Sequence, residues 1–270
     1  MKQPRTIIRI GRQSLAFMSA GGTYEPYTVK SGMSMAANLR EAFRESEVLS
    51  AAGDRVQVLA DAPILLIPME EYEESQAEPL YNHTFPQGNI VNGLNVNSGK
   101  VVISHVIPDL NCVAVFALNK DLRMVISDHF SDVRITPLLA PVWHHLHQRS
   151  YAGQTKKMFA YFHDRRLAVF CFGKNRFRFM NEFCATAVAD STYFILYVWQ
   201  QLAMEHKKDE LYIVGDILEP EALRDELRKY VHNVFPINPS AEFNRAPVTR
   251  IPNMPYDLMA YFMNFQVTEI

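Results

Sequence analysis

The sequence predicts a mixed α/β protein in which one lobe is built twice in tandem. Three observations predict it. Between Met158 and Lys207, three short apolar and aromatic runs are separated by two polar turns, His163-Asp164-Arg165-Arg166 and Gly173-Lys174-Asn175, and followed by a long amphipathic segment. A compact apolar run, Glu210 to Val214, closes this series as strand, strand, strand, helix, strand. The same order recurs more weakly from Thr6 to Ala60, and in both halves about fifty residues separate the first strand from the strand after the helix. Short turns make the first three strands of each half antiparallel, whereas a strand reached through a helix joins by a right-handed crossover. The expected lobes are residues 1–154, with an irregular insertion at about 61–135, and residues 155–270.

In the first lobe, the β-branched run Thr6 to Ile10 and the run Ser14 to Ser19 read as a hairpin turning at Gly11-Arg12-Gln13. Gly21-Gly22 makes the next turn, and Tyr24 to Val29 is a third strand that Pro26 confines to an edge or a bulge. Ser34 is an N-cap for a helix whose stripe is Ala37, Leu39, Ala42, Phe43 and Leu49. Arg55 to Ala60 is the following strand. The middle section is less regular. Ile64 to Pro68 is apolar, and the acidic run Met69 to Glu78 reads as a solvated face. Leu80 to Gly99 reads as a loop or irregular hairpins. Lys100 to Ile107 and Asn111 to Ala117 are strands, Asn119 caps a helix over Leu122, Val125, Ile126 and Phe130, Val133 to Ile135 is a short strand, and Pro137 to Gln148 is a helix broken off at Gly153.

In the second lobe, Asp190 or Ser191 is the expected cap of a helix with Phe194, Ile195, Val198, Trp199 and Leu202 on its apolar side. Pro220 opens another helix, at a position where its missing N–H is harmless. Val234 to Ile237 is a fifth strand, Ser240 to Pro255 a proline-containing excursion, and Tyr256 to Phe265 a terminal helix.

Composition excludes several classes. The chain has 270 residues, 48% hydrophobic and 21% charged, with a formal net charge of −2, so no bulk attraction to nucleic acid or membrane is expected. Cys112, Cys171 and Cys184 lie in apolar runs without CxxC spacing, which fits reduced thiols in a cytoplasmic protein. The segment Met1 to Ile10 lacks the apolar core of a signal peptide, and the apolar run Tyr193 to Ala203 is too short to span a bilayer.

The duplicated order resembles two ribonuclease H-like lobes in tandem, as in the actin-like ATPase superfamily, and the whole chain resembles a bacterial family of uncharacterised proteins with that fold. The resemblance implies ATP and Mg²⁺ held by a hairpin turn from each lobe, each usually reading Asp-x-Gly, and by a strand ending in Gly-Gly beside the adenosine. The first hairpin here is Arg9-Ile10-Gly11-Arg12-Gln13-Ser14: Gly11 keeps the close backbone approach, but an arginine stands where the magnesium-organising Asp is expected. The second, His163-Asp164-Arg165-Arg166, keeps the acid and lacks the glycine. The third, Ile213-Val214-Gly215-Asp216, keeps one glycine of two. Gly11, Asp164 and Gly215 are therefore the residues that would frame a nucleotide if one is bound. No catalytic residue and no resident metal or other cofactor is expected.

Other candidates are weaker. His144 and His147 are three apart in Trp143-His144-His145-Leu146-His147 and could share a helix face, but no carboxylate or thiol completes a zinc set. Asn97-Ser98-Gly99-Lys100 lacks the earlier glycine and the following Ser or Thr of a Walker loop. Alternation in Arg176-Phe177-Arg178-Phe179 places both arginines on one strand face and both phenylalanines on the other. With Lys156, Lys157, Arg165, Arg166 and Lys174 they make a small basic area. The expectation is a non-catalytic scaffold or regulatory subunit with a degenerate nucleotide site and an unidentified protein partner. The alternatives are a divergent ATPase or small-molecule kinase using Asp164, and an RNA-associated factor using Arg176 and Arg178.

Overall fold

The computed structural model describes residues 5–86, 90–91, 94–95, 99–151, 155–173 and 176–266. Gly153, Asn97, Ser98, Lys174 and Asn175, which entered the sequence reading, lie outside these residues. The chain divides into two compact units, one running to Pro141 and rejoined by the C-terminal residues from Asn264, the other Val142–Met263.

The first unit opens with β1 (Thr6–Ile10), β2 (Leu15–Met18) and β3 (Tyr24–Tyr27), a meander in which each strand pairs antiparallel with the next. Pro26 is tolerated because β3 is the sheet edge. Ser34 caps α1 (Met35–Glu45), its side chain accepting from the Ala37 N–H. The expected single helix to Leu49 is two: Ser46 leaves the helical backbone and its hydroxyl accepts from Leu49 N–H, starting α2 (Glu47–Ser50). Glu25 reinforces the break, accepting from both the Ser46 hydroxyl and the Val48 N–H. Next, β4 (Arg55–Ala60) pairs parallel to β1 in the centre of the sheet.

The middle of this unit is more ordered than its composition implies. Strand β5 (Ile64–Pro68) leads through a 3-10 turn to α3 (Glu74–Thr84), whose Ala77 and Tyr81 pack onto a small sheet. The helix thus continues through Pro79 into the stretch expected to be loop. It is followed by the two-residue pairing of β6 (Ile90–Val91) with β7 (Leu94–Asn95), then by β8 (Lys100–Ile107) and β9 (Cys112–Asn119), which complete a small sheet of order β5-β9-β8. Asn119 caps α4 (Lys120–His129), accepting from Asp121 and Leu122 N–H. Strand β10 (Asp132–Pro137), longer than expected, pairs parallel to β4, giving the sheet order β10-β4-β1-β2-β3. Helices α1, α2 and α4 cover one face of this sheet, burying Leu39, Ala42, Leu49, Leu122 and Ile126 against Ile8, Phe17, Val56 and Val58.

Helix α5 (Ala140–Ser150) starts three residues later than expected and passes from one unit to the other after Pro141. Its remaining residues belong to the second unit, where Trp143 meets Phe177 and His147 meets Phe172. That packing places the division at 141/142 rather than at 154/155. Strands β11 (Lys157–His163), β12 (Arg166–Gly173) and β13 (Arg176–Cys184) form an antiparallel meander. Helix α6 (Val188–Gln201) begins earlier than expected; its N-cap is Ala187, and Ser191 instead donates its hydroxyl to the Ala187 carbonyl inside the first turn. Strand β14 (Glu210–Gly215) pairs parallel to β11, α7 (Pro220–Arg228) opens on its proline, and β15 (Asn233–Pro236) pairs parallel to β14. The excursion holds the short α8 (Pro239–Glu242), and the terminal α9 (Tyr256–Tyr261) passes into a wider π-type turn at Phe262–Gln266.

The order β13-β12-β11-β14-β15 repeats that of the first unit, strand for strand and with the same parallel and antiparallel partners. One face packs Met158, Val169 and Ile213 against Ile195, Trp199, Leu223 and Leu227 of α6 and α7. The other is aromatic: Phe159 stacks on Phe170 and Tyr212, and Tyr161 donates to Asp257 of α9 at 2.7 Å. Burying a large aromatic or aliphatic side chain contributes about 1.5–3 kcal/mol, so this two-sided burial is the main stabilising term.

At the start of the first sheet, Arg5 is 3% exposed and its guanidinium reaches the Val56 and Asp132 carbonyls and the Asp132 carboxylate, which Arg55 also holds at 2.9 Å. The hydrogen bonds from Arg5 and Arg55 hold the Asp132 carboxyl down at about 2. A depressed carboxylate contributes stability above its unfolded value, 3.8, and loses it as pH falls through about 2. Asp132→Asn is expected to lower the melting temperature at pH 7, with the gap between variant and wild type closing between about pH 4 and pH 2. Thermal melts across that range read it, and a gap constant with pH would refute it.

Candidate functional site

The two hairpin turns and the exit of β14 are where the sequence placed its candidate residues. In the first unit the β1–β2 turn is closed by Gly11 N–H donating to the Ser14 carbonyl at 2.9 Å. Arg9 points its guanidinium at the same turn and donates to Ser14 Oγ at 2.8 Å, although the residue is only 2% exposed. Arg12 lies 3.5 Å from the Asp61 carboxylate at the end of β4, and Asp61 N–H donates to the Ile10 carbonyl. The turn is thus tied by its own side chains and by Asp61, which the sequence reading had not singled out. Nothing local in the sequence marks Asp61, because its partner is forty-nine residues away and only the parallel β1–β4 pairing joins them.

In the second unit Asp164 and Arg165 form the two-residue loop between the paired His163 and Arg166. Both have left-handed backbones, with φ of 44° and 57°, the conformation of a type I′ hairpin. Asp tolerates it; Arg does so at a cost of order 1 kcal/mol. Beside the turn, Arg166 donates to Cys184 Sγ at 3.6 Å and lies 3.9 Å from Glu182, while His163 stacks on Tyr161. Glu182 is the second residue here that the sequence reading missed.

Gly215 sits against the same end of β11. Its φ is +101°, and a Cβ would fall 2.1 Å from the Phe162 carbonyl oxygen, far inside any real contact. Asp216 N–H donates to that same carbonyl at 2.9 Å. Asp164 and Gly215 therefore both flank the C-terminal end of β11; Gly11 belongs to the other unit. Between the turn and the start of α6, Arg165, Arg166, Thr186, Ser191, Asp216 and Glu219 border a hollow of about 40 Å³, room for a water or two.

The remaining candidates are separated by packing. His147 is buried between Tyr151 and Phe172, His144 meets Gln148, and His145 meets Glu242, so the three imidazoles have different neighbours. Glu242 also accepts from Arg149, and the His145 and Arg149 bonds hold its carboxyl below the usual range. Cys171 is buried, and burial pushes its thiol up to about 12; Cys112 is pushed to about 11. Neither is a nucleophile at neutral pH. The alternation expected at residues 176–179 fails: Phe172 pairs with Phe177 but Cys171 pairs with Phe179, leaving Arg178 as the extra residue of a β-bulge. Phe177 consequently packs on Trp143 and Phe172 while Phe179 packs on the α6 side.

Residues 8–234 match a family profile described as "Protein of unknown function (DUF3822)". The chain belongs to this family. A crystal structure from Bacteroides thetaiotaomicron, of a protein with an actin-like ATPase fold and unknown function, is 26% identical over 90% of this chain and 95% of that one, with a TM-score of 0.78. A PilM–PilN type IV pilus biogenesis complex contains a chain that is 10% identical, covers 88% and 89% of the two chains, and superimposes with a TM-score of 0.56. No curated protein matches. The fold of this DUF3822 member is that of the actin-like ATPases. Among its described residues, no helix is long and apolar enough to cross a membrane.

The two turns of the second unit predict mutations of opposite sign. Gly215→Ala is expected to destabilise by about 3 kcal/mol or more, since it adds left-handed strain to a clash with backbone. Arg165→Gly, in an exposed left-handed position, is expected to stabilise by about 0.5–1 kcal/mol. Urea unfolding of both variants measures the pair; an unchanged midpoint for Gly215→Ala would contradict the close approach of β14 to β11.

Proposed function

We propose that this protein is a non-catalytic member of the actin-like fold, a scaffold or regulatory subunit that works through protein contacts and whose nucleotide site is degenerate. In this reading each unit is a ribonuclease H-like lobe. The observation that carries it is Arg9. It stands where the resemblance calls for a magnesium-organising carboxylate, and its buried guanidinium is bonded to Ser14, the hydroxyl-bearing residue of the same turn. Mg²⁺ takes oxygen ligands, and a buried cation beside the site opposes a second one. Arg9 itself offers the ion no oxygen.

The other hallmarks support the same reading. Asp164 keeps an acid in the second turn, but Arg165 and Arg166 follow it where glycine would let a phosphate approach the backbone. Gly215 has a steric reason to be glycine that is independent of any ligand, its contact with the Phe162 carbonyl. The RNA reading rests on one strand face shared by Arg176 and Arg178, and the β-bulge at Arg178 interrupts the alternation that would give them that face. That an actin-like relative was solved as the PilM–PilN complex gives a precedent for a protein partner. The buried, unpaired Cys112 and Cys171 suit a reducing, cytoplasmic setting.

Calorimetric titration with ATP and magnesium, paired with a phosphate-release assay, tests this directly. The expected result is no saturable heat and no phosphate. Micromolar affinity with steady phosphate release would replace the proposal with an ATPase, and Asp164→Asn should then abolish turnover without unfolding the protein. Binding without release would retain the non-catalytic role and remove the degenerate site.

A further inference from the structure

The second unit contains a cavity of about 610 Å³, a volume typical of sites that enclose small organic ligands. It lies where β11 and β14 begin and β12 ends, at the opposite end of the sheet from the Asp164–Arg165 turn. Its wall combines Lys156, Arg178 and Lys208 with the apolar surfaces of Cys171 and Leu202.

The charges in this wall are not equivalent. Asp209 is buried and accepts from the backbone N–H of Lys156 through one oxygen and of Glu205 through the other, so its charge is absorbed by the fold. Glu205 and Lys208 pair with each other at 3.3 Å, largely in solvent. Lys156 donates to the Leu202 and Ala203 carbonyls at the end of α6, which uses two of an ammonium group's three donors. Arg178 forms no hydrogen bond or ion pair among the described residues. It is the residue extruded by the β-bulge, and the bulge aims it here. A Cβ on Gly173 would touch the Arg178 Cγ and Nε at 3.5 Å and the Lys156 Cγ at 3.7 Å, so the two cationic stems flank one residue that has no side chain.

We propose that this cavity binds a small organic anion, its carboxylate or phosphate held by Arg178 and the remaining Lys156 donor and its apolar body lying over Cys171 and Leu202. A planar guanidinium with five donors suits either head group bidentately, and partial enclosure strengthens the pairing relative to an open surface. The site is independent of the nucleotide reading, since it shares no residue with either hairpin turn.

The experiment is calorimetry at low ionic strength with two probes that share a ring and differ in head group, benzoate and phenyl phosphate. At least one is expected to bind with a dissociation constant of about 1 mM or tighter, and comparison of the two identifies the preferred head group. Arg178→Gln, at an exposed and unbonded position that should leave the melting temperature unchanged, is expected to weaken that binding about tenfold or more. Arg176→Gln removes the same charge from the same strand outside the cavity and is expected to change it less than twofold. Absence of saturable heat with both probes would overturn the proposal, as would equal losses in the two variants, which would indicate a general electrostatic effect.

Discussion

The Phe162 carbonyl is the point on which the second unit's architecture turns. β11 is the central strand, bonded antiparallel to β12 on one side and parallel to β14 on the other, with every residue from Lys157 to His163 buried. The carbonyl of Phe162, its penultimate residue, accepts from Asp216 N–H and occupies the space where a side chain on residue 215 would begin. β14 can therefore leave the sheet only through a left-handed glycine, and the chain then turns into the segment leading to α7. The same strand end carries the Asp164–Arg165 loop, so two of the three candidate residues are brought together by one backbone constraint. A glycine that the fold already requires is weak support for a ligand.

At the first hairpin the balance of interactions is different. Gly11 is held in a tight turn by a backbone bond to Ser14, as a phosphate-gripping turn would be, but the groups that would meet a phosphate or its cation meet each other. Arg9 bonds Ser14, and Arg12 faces Asp61. Burying a guanidinium is costly unless hydrogen bonds replace its water, and the turn supplies such a bond. A loop whose charged groups are already engaged with one another has fewer donors and acceptors left to offer a ligand.

The architecture was legible because it is written in local pattern. Three strands, a helix and a strand, twice over, follow from apolar runs and turn residues. Ser34, Asn119 and Pro220 mark helix starts through interactions spanning three residues or fewer. What escaped was set at longer range. Ser46 ends α1 through Glu25, twenty-one residues earlier; Asp132 binds an arginine 127 residues away; and α3 continues through Pro79 because Ala77 and Tyr81 have a sheet to pack on. The cap of α6 was misplaced because Asp190 and Ser191 are good capping residues in isolation, whereas Ser191 here bonds backward to Ala187 within the helix. Of the candidate site, the identities of the substituted positions were readable, but not the partners that make the substitutions self-consistent.

The β-bulge at Arg178 shows how one extra residue redistributes chemistry over a sheet. With strict alternation, Phe177 and Phe179 would lie together and the two arginines would form a plain basic strip. The pairing instead slips by one between Cys171 and Phe172, which sends Phe177 to the aromatic face against Trp143 and Phe179 to the aliphatic face against α6. The bulge thus gives the two rings different hydrophobic neighbours on the two faces of the sheet, with the backbone ladder interrupted at one residue. Arg178 is the residue left over. Its side chain is placed by the packing of its neighbours, beside Gly173 and Lys156, at the end of the sheet remote from the Asp164–Arg165 turn. Any recognition by this arginine is accordingly governed by two phenylalanines that touch no ligand, and restoring the alternation would move the charge.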